Sequence, residues 1–222
     1  MRLMLTSVLV AAALLGACAK EGSRPSVLMA EDLGNNALQA GDYAKAERYY
    51  TEAVDQSPGR LPARVGLGKA LLGQSKAAAA RSHLEVALTR DPTNSEVAEL
   101  LAESMLQAGE VDAMVRLLKT RALDRQRVED WIRLGRFQAK AHDADGAEVS
   151  LLTAARIDKG QTIEPQLELA DFYRSIGDNE SAFKRLRMAY FLKPQDENVL
   201  RRIRELGEVP GPTMALQPAE IE

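Results

Sequence analysis

The sequence has one cysteine, two histidines and few aromatic residues. A single cysteine excludes an intramolecular disulfide, and this cysteine and histidine content leaves no zinc-ligand set. Aromatic residues make up 5% of the chain, so nucleic-acid bases would find few rings to stack on. The net charge of −3 provides no basic field for a phosphate backbone. We therefore expect neither a metal site nor a nucleic-acid partner, although the 45% hydrophobic content is typical of a folded protein.

The first 17 residues have the layout of a secretory signal peptide. Arg2 gives the chain a positively charged start, and residues 3–15 are uncharged and rich in leucine, valine and alanine. A helix needs about 20 apolar residues to cross a bilayer, so this run is too short to favour a permanent transmembrane span. We predict that residues 1–17 are a signal peptide and form no part of the folded domain.

The residues before the cysteine predict a lipid anchor. Leu15, Gly16 and Ala17 precede Cys18, and an aliphatic residue, two small residues and a cysteine resemble the lipobox of bacterial lipoproteins. The resemblance implies that Cys18 carries diacylglyceryl and N-acyl (palmitate-type) chains. Each buried CH₂ group contributes about 0.8 kcal/mol, so several chains would hold the protein firmly on a membrane. The alternative is an ordinary signal peptide with an incidental buried cysteine.

The residue after the cysteine predicts the destination. By analogy with enteric lipoproteins, Ala19 in place of aspartate favours the periplasmic face of the outer membrane over the inner membrane. Residues 18–26 then form a lipidated tether. At about 3.5 Å per residue, this tether keeps the folded part within roughly 30 Å of the lipid.

A 34-residue period runs through the chain after this tether. The positions that recur 34 residues later are Gly34, Ala46, Tyr50, Ala53 and Pro58, repeated as Gly68, Ala80, Leu84, Ala87 and Pro92. This period, with small residues at fixed places and a closing proline, resembles the tetratricopeptide repeat (TPR). The resemblance implies an all-α fold, in which helix-turn-helix units stack into a right-handed superhelical solenoid.

About five such units start at residues 27, 61, 95, 128 and 163. The third is degenerate, because Met114, Arg121 and Gln126 stand where the repeat has alanine, alanine and proline, and the sequence leaves open whether it forms a regular unit. An amphipathic helix at 196–206 is expected to cap the stack, so we predict a solenoid over 27–206. Prolines and weak periodicity predict a flexible tail at 207–222.

Catalytic motifs are few. Ser181 and Lys184 match S-x-x-K, but the S-D-N and K-T-G motifs that accompany it in penicillin-binding proteins are missing. His142 and Asp143 lie in a predicted turn, where helix capping explains the carboxylate. We therefore expect no catalytic residue, no cofactor and no small-molecule substrate, and an enzyme is the remote alternative.

The TPR resemblance implies that the first helices of the units line a concave groove for a protein partner. The expected partner-binding residues are Asn35, Leu38, Lys69, Leu72, Glu99, Glu103, Leu106, Ile132, Arg136, Asp171 and Arg174. This mixture suits a peptide or helix whose apolar side chains dock while its charges fix the register. Glu31 stands where TPR proteins that grip a chaperone's C-terminal carboxylate carry a basic residue, so that specialisation is not expected.

A lipobox followed by about five TPR units resembles two groups of envelope proteins. One comprises pilotin-like and tight-adherence (Flp) pilus assembly lipoproteins, TadD-like proteins among them. The other comprises lipoprotein adaptors for peptidoglycan hydrolases or outer-membrane biogenesis. We expect a membrane-anchored periplasmic scaffold that assists assembly of a pilus or secretion complex, with an adaptor as the alternative.

Overall fold

The computed structural model describes residues 24–221, and every regular element within them is a helix. The α-helices are α1 Val27–Gln39, α2 Tyr43–Gln56, α3 Leu61–Gly73, α4 Ala77–Arg90, α5 Ser95–Gln107, α6 Val111–Arg125, α7 Val128–Lys140, α8 Ala144–Asp158, α9 Glu164–Ser175, α10 Asn179–Leu192 and α11 Glu197–Glu205. Two short 3₁₀ helices follow, at Pro212–Met214 and Ala219–Ile221. Over this described part of the chain, no helix has the length and apolar character needed to cross a membrane. The predicted signal peptide, Cys18 and Ala19 lie outside the described residues.

Consecutive helices pack as five pairs, from α1 with α2 to α9 with α10, and each second helix also packs on the first helix of the next pair. The first helices begin at Val27, Leu61, Ser95, Val128 and Glu164, at or next to the starts of the five sequence units. The degenerate third unit is a helix pair like the others. The predicted all-α fold of stacked helix pairs is confirmed.

Close helix approach explains the 34-residue pattern. A methyl group on Gly34 would stand 2.8 Å from the ring of Tyr50, and one on Gly68 would stand 2.7 Å from the side chain of Leu84. Such distances are shorter than carbon atoms tolerate, so a glycine on the first helix makes room for the large residue on its partner helix. The repeated alanines are fully buried between the helices: Ala46, Ala53, Ala80, Ala87, Ala147, Ala154, Ala182 and Ala189. Stacking therefore gives each pair a core that it lacks alone.

The units that lack the closing proline end differently. Gln126 and Lys159 occupy the proline position of the third and fourth units, and both adopt left-handed backbone conformations, with φ of 51° and 52°. Proline is restricted to negative φ and cannot take this conformation. The second helices α6 and α8 accordingly have 15 residues, whereas α2, α4 and α10 have 14.

The segment after α11 differs from the predicted flexible tail, because residues 208–221 fold back onto the end of the stack. Met214 is buried in a cluster that contains Ile203, and its carbonyl oxygen accepts a 2.7 Å hydrogen bond from Arg187 Nε. Arg185 pairs with Glu220 at 2.7 Å, and Pro218 is fully buried. The prolines of this segment prevent a long helix and its periodic pattern of apolar residues. They favour short turns, from which single apolar side chains such as Met214 pack against the end of the stack. The expected cap, α11, packs on α10 through residues that include Ile203.

Candidate protein-binding groove

Three cavities lie along the first helices of the units. One of about 620 Å³ lies among α5, α7 and α9, one of about 370 Å³ lies between α7 and α9, and one of about 290 Å³ lies among α1, α3 and α5. We call this row of cavities the groove. The expected partner-binding residues that line it are Asn35, Leu38, Lys69, Glu99, Ile132, Arg136 and Asp171. The first helices thus provide concave surface, as the TPR resemblance implies.

The remaining expected residues lie on the same helices but line none of these three cavities. They are Leu72, Glu103, Leu106 and Arg174. Leu72 is 9% exposed and packs in the main core, and Leu106 is half-buried against that core. Ile132 is only 7% exposed, so it offers the groove a small apolar floor and mainly stabilises the stack.

All six charged residues of the expected set form ion pairs, four of them with the next unit and two with α11. The pairs are Lys69–Glu96, Glu99–Arg133, Glu103–Lys140, Arg136–Glu168, Asp171–Arg202 and Arg174–Glu205. Most of these side chains are partly exposed, so solvent screening leaves each pair about 0–1 kcal/mol of stabilisation. A partner that offers a better-placed charge can therefore replace one side of such a pair at little cost.

Arg136 occupies the centre of this row, because it lines both larger cavities. Its guanidinium donates two hydrogen bonds to the Glu168 carboxylate, one of them 2.7 Å long. The hydrogen bond to Glu168 raises the pKa of Arg136 above its ordinary value and outweighs burial, which lowers it. Arg136 is therefore charged at any physiological pH, and its pair with Glu168 joins the fourth unit to the fifth.

At the amino-terminal end, a buried tyrosine fixes the groove residue Asn35. The Tyr50 hydroxyl donates a 2.6 Å hydrogen bond to Asn35 Oδ1. Burial, together with the charge of Glu31, raises the pKa of Tyr50 to about 12, so the phenol is protonated and remains a donor. Glu31 itself is buried and accepts two hydrogen bonds from Arg60, at 2.6 and 2.7 Å. Its carboxylate therefore links the first two units.

Sequence reasoning missed part of the wall of the largest cavity. The wall includes Asp158 at the end of α8, Gln161 and Thr162 from the following turn, and Glu129 and Glu164 at the starts of α7 and α9. The TPR groove positions lie within the first helices, and so they omit the turns that bring one unit onto the next. The left-handed residue after α8 marks this turn, but the sequence carries no signal for it beyond the missing proline.

The catalytic candidates occupy structural positions. Asp143 caps α8, where its side chain accepts a hydrogen bond from the Gly146 backbone at 3.0 Å, and His142 takes the left-handed turn before it. The Ser181 backbone donates to the capping residue of α10, and Lys184 is exposed on that helix. Across residues 24–221, no group of histidine, cysteine and carboxylate side chains could hold a metal ion.

Comparison with known proteins gives the same architecture. A family model described as tetratricopeptide repeat matches residues 37–103 and 71–141. A thermophilic TPR protein from Thermus thermophilus is 20% identical with a TM-score of 0.55, covering 82% of this chain and 98% of its own. A MamA protein is 20% identical with a TM-score of 0.54, covering 76% and 92%. MamA from Desulfovibrio magneticus is 13% identical with a TM-score of 0.55, covering 77% and 97%.

These identities are low, so the likeness concerns the fold alone. No curated protein matches the sequence.

Proposed function

We propose that this solenoid of TPR-like helix pairs is a scaffold that binds a segment of another protein in the groove. The observation that carries this proposal is the row of cavities along the first helices, which combine a small apolar floor with charged walls. Such a surface suits an extended or helical segment whose apolar side chains dock and whose charges fix the register.

The charges of the largest cavity indicate the chemistry of the bound segment. Its acidic wall residues are Glu99, Glu129, Asp158, Glu164 and Glu168, against the two basic residues Arg133 and Arg136. Among the described side chains, Glu164 forms no ion pair, and it is exposed at the start of α9. Charge complementarity favours a partner segment in which a lysine or arginine stands beside an apolar residue.

Reversing the charge of Glu164 tests this groove. We expect Glu164→Lys to weaken binding of the partner segment about tenfold, since a charge at an interface rim acts through complementarity with the partner. The free energy of unfolding should fall by less than about 1 kcal/mol, because Glu164 is exposed and loses only a favourable helix-terminus interaction. Pull-down with quantitative mass spectrometry measures binding, and thermal unfolding measures stability.

Glu180→Lys is the matched control, because Glu180 is also exposed in the first turn of a helix, α10, but lies away from the cavity. Equal losses of partner in the two variants would contradict binding at this cavity.

We further propose that the scaffold is a lipoprotein held at the periplasmic face of the outer membrane through Cys18. The lipobox-like residues 15–18 and the position of Ala19 support this proposal. The first helix begins at Val27, nine residues after Cys18, so the predicted tether is short and the groove would lie close to the membrane.

Within the envelope, we propose a role in assembling a pilus or secretion complex, for example by stabilising a secretin. A strain that lacks the gene should then accumulate monomeric or mislocalised secretin, as seen by semi-native electrophoresis. The wild-type gene should restore multimers, whereas the Glu164→Lys gene should restore few. Normal multimers in the deletion strain, with peptidoglycan hydrolases co-purifying, would instead support the adaptor function.

A further inference from the structure

The third unit departs from the repeat at Arg121, which stands where the pattern has a small alanine. The side chain lies on α6, and its Nη1 donates a 2.6 Å hydrogen bond to the carbonyl oxygen of Pro92. Its Nε and Nη2 atoms are buried and find no hydrogen-bond partner within the described chain. A half-buried arginine with two buried, unpaired nitrogens, in a position that the repeat gives to a methyl group, requires an explanation beyond packing.

Arg121 belongs to a cluster of arginines around one buried carboxylate, that of Asp130. Asp130 is 3% exposed, and its oxygens lie 2.8 Å from Arg133 Nη1 and 3.3 Å from Arg125 Nε. Burial, and then the like charge of Arg125, lower the pKa of Arg121 below its ordinary value. Asp130 can neutralise only one of these three guanidinium groups. Arg133 also pairs with Glu99, whose Oε2 lies 3.3 Å from Arg133 Nε.

A cavity of about 570 Å³ opens beside this cluster. Its lining includes Ser95, the three arginines Arg125, Arg127 and Arg133, and two carboxylates, the buried Asp130 and the exposed Glu129. Arg127 is exposed, and no carboxylate of the described residues pairs with it. The cavity adjoins the groove, with Glu129 and Arg133 in the wall between the two.

The donors around this cavity come from three different elements. Arg125 ends α6, Arg127 and Arg133 lie at and beyond the start of α7, and Ser95 begins α5. The Ser95 hydroxyl oxygen accepts a 3.5 Å hydrogen bond from Arg125 Nη1. The hydroxyl proton of Ser95 can therefore be donated to a ligand in the cavity. No side chain caps α7, so its first backbone N–H groups are available as well. Donors that converge from several directions suit a tetrahedral oxyanion better than a planar one.

We propose that this cavity, between the third and fourth units, binds a phosphate group. Arg127 and Arg125 supply charged donors, Ser95 supplies a hydroxyl, and the bound anion compensates the charge by which the three lining arginines exceed the two lining carboxylates, Asp130 and Glu129. The volume exceeds that of inorganic phosphate alone, so a phosphate ester of a small molecule also fits. The site takes a ligand of a different class from that of the groove, although it shares Glu129 and Arg133 with the largest groove cavity.

Trp131, the only tryptophan of the chain, directly follows Asp130, a residue that lines the cavity, so we choose its fluorescence as the probe of binding. The full chain should be titrated with inorganic phosphate and, separately, with chloride at equal ionic strength, while tryptophan fluorescence is recorded. We expect a saturable change with phosphate and none with chloride. Arg127→Gln should weaken phosphate binding about tenfold, because it removes a charge-assisted hydrogen bond.

Arg116→Gln is the matched control, since Arg116 is an exposed arginine of α6 outside the cavity, and it should bind as the wild type does. Circular dichroism should show the same helix content in all three proteins. A parallel titration with glycerol 1-phosphate distinguishes the source, because tighter binding of the ester indicates a phosphate ester and tighter binding of the inorganic ion indicates free phosphate. The proposal is overturned if neither compound gives a saturable change, or if Arg127→Gln binds as tightly as the wild type.

Discussion

Replacing Tyr50 with alanine is expected to lower the free energy of unfolding by about 3–5 kcal/mol, the range for truncating a large buried aromatic side chain. The ring is 2% exposed and fills the space where α1, α2 and α3 meet. On one side it faces Gly34, and on the other it faces Gly66, where an added methyl group would overlap the ring. Since these glycine sites cannot collapse around the missing ring without moving two helices, a cavity should remain.

Tyr50→Phe is the matched control for this experiment. It keeps the ring and removes only the hydroxyl that donates to Asn35, which should cost about 1 kcal/mol. Urea unfolding of the full chain, followed by circular dichroism, measures both variants. Because neighbouring units of a solenoid stabilise one another, Tyr50→Ala should unfold the first units before the rest. If alanine and phenylalanine cost the same, the ring does not hold these units together.

Replacing Cys18 with serine is expected to release the protein from the membrane fraction almost completely. Serine cannot form the thioether on which the lipid depends, and at about 0.8 kcal/mol per buried CH₂ group the loss of several acyl chains removes nearly all of the binding energy. Carbonate extraction followed by immunoblotting measures the fraction that is retained. Unprocessed precursor held by its signal peptide is recognised by its larger mass.

Ala19→Asp is the matched control for the anchor. It should leave the protein lipidated and membrane-bound, and move it from the outer to the inner membrane in a sucrose gradient. A mature Cys18→Ser protein that stays with the membranes would refute lipidation.

Much of the fold could be predicted because a solenoid repeats the same local contacts. Gly34 and Tyr50 recur 34 residues later as Gly68 and Leu84, and each glycine contacts the large residue of its pair between two helices. Because the same contact occurs in both units, its recurrence in the sequence indicates which helices pair. The helix starts followed from the same period. Packing that recurs is visible in a sequence, since each unit must satisfy the same geometry.

Features that occur once could not be predicted in this way. Met214 docks alone from a proline-containing segment, and a single apolar residue gives no periodic signal. The groove charges were recognised by position, but their pairing across units, such as Arg136 with Glu168, depends on side-chain reach between helices 32 residues apart in sequence. Arg121 was visible as a departure from the repeat, whereas the buried carboxylate that it faces, Asp130, emerged only from the packing of α6 on α7.

In the proposed function, the first-helix groove holds a segment of another protein. Site-specific photo-crosslinking in the native organism tests it most directly, with the photoreactive residue placed at Asp171 in the groove or at Val149 on the second helix α8, where the side chain is 64% exposed. We expect a discrete adduct from Asp171 that disappears when Glu164→Lys is added, and no adduct with the same protein from Val149. An equal yield of that adduct from both positions, or an adduct from Val149 alone, would contradict it.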